Sequence, residues 1–209
     1  RNATGMRVLL YDQSDDRDPM QVISFEPKHD RFGDVWSIFV PGLKHGQLYH
    51  FQADGPFNAS GGHLFDPTAR LIDPYSKALA GRFLKHNDGI IRPPKSVVVD
   101  DTFDWNGDRH LRHGLADTVI YEMHIKGFTA DPSSGVEYPG TYLGVIEKIP
   151  YLKSLGITAV ELMPIHEFPQ ESFSGEHRQH ENYWGYDPLA FFAPHQGYAV
   201  SKQPAAQVS

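Results

Sequence analysis

Between Val119 and Met163 the chain carries two near-continuous apolar runs, Val119–Phe128 and Ile157–Met163, bridged by a helical segment. Strands that read this way are covered on both faces, as in a parallel sheet. Within the bridge, Thr141 can cap a helix, and Leu143, Ile146, Ile149, Leu152 and Leu155 recur every third residue on one broad face. Gly156 stands where a C-terminal cap belongs, and Pro150 demands either a kink or a fresh start with Pro in the first turn. The unit is one β-α-β with a right-handed crossover expected. Two parallel strands cannot close a sheet, so this half on its own exposes strand edges and apolar helix faces.

The first half reads differently. Met6–Tyr11, Val22–Phe25, Val35–Val40 and Leu48–Asp54 are short and rich in β-branched and aromatic residues, with Gly, Pro and Asp clusters between them. Strands at this spacing predict an antiparallel β-sandwich. In Leu48–Asp54, Leu48, Phe51 and Ala53 mix with His50 and Gln52, which predicts one half-solvated face. Lys85–His113 spends three valines, a Phe and a Trp, so it reads as an ordered connector rather than a floppy linker. A β-sandwich takes roughly 100 residues and a complete (β/α)8 barrel roughly 250. With 209 residues the chain cannot hold both in full.

Composition narrows the function classes. Hydrophobic residues at 40% and aromatics at 12% supply a real core. With 19 basic and 26 acidic residues the net charge is −7, which disfavours nucleic acid or an anionic membrane and favours a neutral or cationic ligand. No cysteine is present, which suits a reducing, cytoplasmic setting. No apolar run approaches the roughly 18 residues of a membrane span, and no signal peptide reads from Arg1, where the missing initiator Met predicts a chain cut from a longer one. Oligomeric state leaves no trace in the sequence.

Three groups of residues could carry chemistry. Glu122 and Glu161 are the carboxylates of the two apolar runs, but strand glutamates are ordinarily structural. Of the 12 histidines, His166, His177, His180 and His195 invite a metal reading. Their spacing fits no standard zinc template, and solvated loop histidines are expected instead, with no metal and no cofactor. The aromatic stretch Tyr183-Trp184-Gly185-Tyr186 follows the polar run Gln170–Glu181. No further strand–helix pair reads between Pro164 and Ser209. A long loop after a parallel strand is where α/β barrels place ligand contacts. Tyr and Trp faces beside hydrogen-bonding groups suit a sugar, which has an apolar face and a rim of hydroxyls. Packing Tyr183, Trp184, Phe191 and Phe192 into one cluster is the plainer alternative.

Several motifs occur in a telling order: Trp36…Val40-Pro41-Gly42-Leu43, Asp54-Gly55-Pro56, Phe65-Asp66-Pro67…Asp73-Pro74-Tyr75-Ser76-Lys77, Pro94-Lys95-Ser96-Val97-Val98-Val99-Asp100-Asp101…Phe103-Asp104-Trp105, Val119-Ile120-Tyr121-Glu122-Met123-His124-Ile125-Lys126-Gly127-Phe128-Thr129, Gly156-Ile157-Thr158-Ala159-Val160-Glu161-Leu162-Met163-Pro164 and Asn182-Tyr183-Trp184-Gly185-Tyr186. In that order the chain resembles the front end of the isoamylase-type glycogen debranching enzymes. These are glycoside hydrolase family 13 proteins with an N-terminal carbohydrate-binding module of family 48.

The resemblance implies an immunoglobulin-like β-sandwich module at 1–84, lacking its first strand, an ordered connector at 85–113, and at 114–209 the first strand, helix, second strand and substrate loop of an incomplete barrel. It implies α-1,6 branch hydrolysis in α-glucans with retention by the intact enzyme. Retaining glycosidases need two carboxyls about 5–5.5 Å apart, and the resemblance places both beyond Ser209, so no residue here is catalytic and the chain alone is expected to be inactive. Among substrate-binding residues, Tyr186 matches the tyrosine that stacks on the sugar beside the cleavage point, with Trp184 and Asn182 beside it. Phe57, just after the Asp-Gly turn, is a weaker candidate, and Trp36 is expected to pack in the core. The alternative is a non-catalytic α-glucan-binding protein; a His-rich metalloenzyme ranks last.

Overall fold

The structure is a computed structural model and describes residues 2–85, 91–100, 102–170 and 181–208. Its N-terminal part is built on a five-stranded antiparallel sheet in the order Gln21–Ser24, Gly5–Tyr11, Leu48–Asp54, Lys95–Val97, Leu79–Ala80. The two central strands pair along their whole length, from Gly5 opposite Asp54 to Tyr11 opposite Leu48. Side chains alternate across a strand, so Val8 and Leu10 point one way with Phe51 and Tyr49, and Leu9 and Tyr11 the other way with His50 and Leu48. Both faces are buried. On the first, Phe25, Trp36, Ile38, Val40 and Leu43 form the second layer, and Trp36 meets Phe25 edge to face at 6.3 Å. Trp36 is therefore a packing residue.

Of the run Val35–Val40, only Val35–Trp36 is a strand, in a small hairpin with Arg31–Phe32. Ile38 and Val40 still pack inward, but beyond the Ser37 amide, which donates to the Asp30 carbonyl at 2.8 Å, no neighbouring strand extends the ladder.

The second face corrects the half-solvated expectation for Leu48–Asp54. Ala205 and Val208, from the far end of the chain, pack with Leu9, Tyr11, Leu48, Ala78, Ala80 and Val97. At the sheet's Leu79 edge, Ala190, Ala193 and Leu189 close over Leu79 and Ile72. His50 is consequently 1% exposed. Its Nε2 donates to the Pro94 carbonyl at 3.0 Å, and its Nδ1 lies 3.4 Å from the Tyr11 hydroxyl. Lys95, also buried, places Nζ 4.5 Å from the centre of the Tyr11 ring and donates to the Ser14 and Asp16 carbonyls. Burial of His50 and Lys95 is tolerated because each has a partner.

The second half contains the expected β-α-β core. Ile120–Met123 and Ala159–Leu162 pair in parallel, with Glu122 opposite Glu161. Pro150 makes a fresh start: helix Tyr142–Glu147 ends and Ile149–Ser154 begins with Pro in its first turn. Thr141 caps the first helix by accepting from Gly144 N at 3.2 Å. Gly156, at φ +79°, ends the second as expected. Its amide donates to Lys153 O at 3.0 Å and that of Ile157 to Leu152 O at 3.2 Å, the paired bonds of a Schellman cap.

The first parallel strand is shorter than the run Val119–Phe128. It stops at Met123, and Ile125–Thr129 forms a helix capped by His124, whose side chain accepts from Gly127 N. Gly127 weakens a strand and frees the backbone to turn. The sequence also conceals a strand, Ala190–Pro194, which pairs antiparallel with His166–Glu167. The parallel pair is left with exposed edges, and Leu143, Ile146, Ile149 and Leu155 lie open on the helices.

Burial, reinforced by Lys95 and Arg70 and opposed by the Pro94 carbonyl, pulls the His50 imidazole down to about 4 from its ordinary 6.5. The folded state then refuses a proton that the unfolded chain takes up below pH 6.5, so this stabilisation is full above that pH and is lost as pH falls toward 4. Between pH 7 and pH 5 the loss amounts to about 2 kcal/mol. Urea unfolding at the two pH values should show it in the wild type and a much smaller drop in His50→Gln; equal drops would refute the assignment.

Candidate functional site

The site is assembled at the C-terminal end of the parallel pair, where strand Ile120–Met123 gives way to its short helix. His124 is the hinge of the assembly. Its Nδ1 accepts from Gly127 N at 3.1 Å, so in the neutral ring Nε2 carries the proton and donates to the Tyr183 carbonyl at 2.7 Å. The imidazole lies flat on the Tyr183 ring, with 4.1 Å between centroids and 6° between planes, and Trp184 meets it edge-on at 6.0 Å. Tyr198, below, brings its hydroxyl to 3.2 Å from the same Nε2. Burial raises the Tyr198 hydroxyl to about 12 from 10.0, with Tyr183 and Glu181 adding to the shift, so it stays protonated.

Glycines let the loop 181–187 lie close to this foundation. A Cβ on Gly127 would collide with the Tyr183 hydroxyl. Gly185, at φ +74°, sits against Phe168, whose ring atoms would be 2.5 Å from an added Cβ. Phe168 in turn stacks on His195 at 3.8 Å and 9°. His195 is held by Glu167, Nδ1 to Oε1 at 3.2 Å, and the same carboxylate accepts from Gln196 N at 2.7 Å and from Gln196 Nε2 at 3.2 Å. Both members of the pair are almost completely buried.

Asn182 staples the loop. Its amide nitrogen donates to Pro169 O at 3.1 Å and Asp187 Oδ1 at 2.6 Å, and its oxygen accepts from Gly185 N at 3.2 Å. Asn182 thus shapes the loop rather than presenting a free amide. Lys126 pairs with Glu181 across its mouth. The result displays Tyr186, 69% exposed and with no partner among the described residues, and Trp184, 54% exposed. A cavity of about 430 Å3 opens beside the first part of the loop, lined in part by Asn182, Tyr183, His195 and Tyr198.

Tyr186, Trp184 and Asn182 lie on one loop, the two rings exposed and the amide bonded within it. Phe57 is exposed on a separate hairpin, opposite Leu64 in the N-terminal part. The aromatics do not form one packed cluster: Tyr183 and Trp184 meet at 5.0 Å, Phe191 packs on His166, and Phe192 stacks on Tyr75 at 5.8 Å.

His195 is not a solvated loop histidine; its partner Glu167, 28 positions back in sequence, explains its burial. His166 is exposed, and His177 and His180 lie outside the described residues, as does most of the polar run Gln170–Glu181. Among the described residues no group of three or more His, Asp or Glu could hold a metal ion. No helix of the described residues is long and apolar enough to cross a membrane. Glu122 and Glu161 are exposed and do not line the cavity. Sequence reasoning passed over His124, Phe168 and the Glu167–His195 pair; the signal for the first was a histidine three residues before a glycine at the end of an apolar run.

Residues 1–76 match the family described as Carbohydrate-binding module 48 (Isoamylase N-terminal domain), and residues 86–198 the family described as Alpha amylase, catalytic domain. Isoamylase 1, chloroplastic, of Arabidopsis thaliana is 40% identical over 215 residues, covering 95% of this chain and 27% of its own length. The Glycogen operon protein GlgX homolog of Mycobacterium bovis is 39% identical over 199 residues, covering 85% of this chain and 28% of its own. The chain thus spans little more than a quarter of these curated relatives. A solved product complex of a multi-modular glycogen-degrading pneumococcal virulence factor SpuA superposes with a TM-score of 0.73 at 25% identity, over 99% of this chain and 22% of that one.

Two glycines separate backbone strain from crowding at the site. Gly156→Ala meets no atom within 4 Å, and should lose only the left-handed backbone penalty of about 1–2 kcal/mol. Gly185→Ala has the same backbone penalty plus the Phe168 ring in its way, and should lose at least about 1 kcal/mol more. Comparison of their denaturation midpoints checks this; equal losses would mean that the loop does not rest on Phe168.

Proposed function

Since the chain belongs to the α-amylase catalytic-domain family, with a match to a family 48 carbohydrate-binding module ahead of it, we propose that it is the N-terminal part of a glycogen or starch debranching enzyme. The whole enzyme hydrolyses α-1,6 linkages in α-glucans with retention. In this reading residues 1–84 are the module, 85–113 the connector and 114–209 the start of the barrel, and the setting is cytoplasmic.

The observation that carries the proposal is the display of Tyr186. Its ring is left free on a loop that Asn182 and Tyr183 hold in place. A pyranose offers an apolar face that matches an exposed aromatic ring, and hydroxyls that suit polar groups such as those lining the cavity beside the loop. The position, after a parallel strand at its C-terminal end, is where barrels of this kind bind ligands. Trp184, edge-on to His124, adds a second aromatic surface.

The chemistry requires more than this surface. Retention needs a nucleophile and an acid/base carboxyl about 5–5.5 Å apart around the scissile bond. Glu122 and Glu161 are neighbours across the parallel pair but lie apart from the cavity, so this chain binds glucan without cleaving it. Exposed Phe57 favours a second, non-catalytic binding surface on the N-terminal part.

Titration with maltotriose should give binding that weakens at least about tenfold in Tyr186→Ala, a loss of about 1.4 kcal/mol, and unchanged affinity in Tyr186→Ala would overturn the assignment. The 209-residue chain should release no reducing ends from glycogen. Turnover abolished by Glu122→Gln or Glu161→Gln would place catalysis here after all. Retardation of the chain in amylopectin gels that is relieved by Phe57→Ala would support the second surface.

A further inference from the structure

His124 holds the Tyr186 loop through a bonding pattern that a second ring proton would break. The imidazole is 7% exposed and is engaged on both edges and on its face. Nδ1 accepts from Gly127 N at 3.1 Å, Nε2 donates to Tyr183 O at 2.7 Å, and the Tyr183 ring lies on the face at 4.1 Å. The first bond needs a bare lone pair on Nδ1. Only the neutral ring with its proton on Nε2 offers that pattern, because both nitrogens of an imidazolium are donors.

Protonation would set Nδ1–H against Gly127 N–H. Turning the ring over gives no relief, since a carbon then stands where Nδ1 stood and the cap is lost either way. Moving the ring and Gly127 apart meets Tyr183, whose ring lies flat on the imidazole and whose hydroxyl is close enough to Gly127 to collide with an added Cβ. Tyr183 is therefore clamped by the two partners of a single hydrogen bond, and Tyr186 follows three positions along the same loop.

The surrounding charges give an imidazolium no dedicated counter-ion among the described residues. Lys126, on the same short helix, pairs with Glu181 of the loop, so the two offset each other. Lys202, which also lines the cavity beside the loop, donates to Ala199 O and adds positive charge only. Tyr198, from the turn Gln196–Tyr198, brings its hydroxyl to 3.2 Å from Nε2 and stays a neutral phenol, because burial raises it to about 12. His195, which meets the Tyr198 ring at 4.7 Å, keeps the Glu167 carboxylate for itself and Gln196. The Tyr183 face would attract a cation, but that attraction does not restore the bond to Gly127, and burial of an unpaired charge opposes it.

We propose that His124 is a positioning residue for Tyr186 that works only as the neutral Nε2–H imidazole, so that its protonation frees the loop and weakens glucan binding. The inference rests on the reading of the loop as an α-glucan site and adds a proton dependence to it. The held loop refuses a proton that the freed loop accepts, so binding is full at high pH and is lost as pH falls through the range in which imidazoles charge.

Maltotriose titrations of the 209-residue chain from pH 8 to pH 5, with the His124 ring nitrogens followed by nitrogen NMR, test this. At pH 8 the spectrum should show a bare Nδ1 and a protonated Nε2. Affinity should fall at least about tenfold by pH 5, with the same midpoint as protonation of the ring. His124→Asn keeps a capping acceptor that does not titrate, and should bind more weakly than wild type at pH 8 with no further fall at pH 5. A proton on Nδ1 at pH 8, an affinity that stays flat or falls at a different midpoint, or a fall that persists in His124→Asn would overturn the proton dependence. Should His124→Asn not fold, the two midpoints in the wild type still decide. If Tyr186→Ala weakens binding at pH 8 in spite of such a result, the loop site stands without the proton dependence. If Tyr186→Ala changes nothing, or maltotriose does not bind, the loop site fails and the role of His124 fails with it.

Discussion

The Glu167 carboxylate is the point on which the two halves of the molecule and the candidate site all depend. It is 1% exposed, and a carboxylate so far from water persists only with its oxygens satisfied. His195 and Gln196 satisfy it, and each carries the constraint elsewhere. Through His195 the carboxylate fixes the ring on which Phe168 stacks and against which Gly185 rests, so the height of the Tyr186 loop is set from below. Through Gln196, which also reaches Gly81 O, it ties the second half to the N-terminal sheet. Removing one partner would leave the others buried and unpaired, a penalty larger than the worth of any single bond.

Burial of both faces of the sheet follows from the same docking. Leu9, Tyr11 and Leu48 would face water if Ala205 and Val208 did not cover them, and Leu79 if Ala190 and Ala193 did not. This explains why His50 and Gln52, polar residues on an apparently solvated face, are buried with partners. His50 holds the Pro94 carbonyl and Gln52 that of Pro67. The fold therefore does not divide cleanly by sequence position, because the last described residues belong physically to the first sheet.

That docking also marks what was legible in the sequence. Leu48–Asp54 was readable to the residue because alternating apolar side chains and flanking turn residues act locally. The crossover was readable because Thr141, Pro150 and Gly156 each impose a backbone conformation through their own chemistry. Tyr186 and Trp184 were legible as an aromatic pair following a parallel strand. His50, His195 and Glu167 were not, since their burial is decided by residues dozens of positions away. The short helix at Ile125–Thr129 was hidden inside an apolar run whose composition favours a strand. There His124, capping the turn and stacking on Tyr183, outweighed local propensity.

The division of labour within the site has a physical logic. Groups that hold the loop are paired, and most are buried: His124, Phe168 and the Glu167–His195 pair, with the half-buried Asn182. The group left exposed and unpaired, which the proposed reading assigns to the ligand, is Tyr186. A binding surface must keep its hydrogen-bonding and stacking capacity unspent until the ligand arrives, and it must be rigid enough that little ordering remains to be done on binding. The stapled loop meets both demands: Asn182 and the Lys126–Glu181 pair hold it, and the Tyr186 ring is left exposed. Below it the Tyr198 hydroxyl is held protonated by burial. On the reading proposed above, such a surface recognises shape and hydroxyl pattern, which suits a neutral polymer such as an α-glucan.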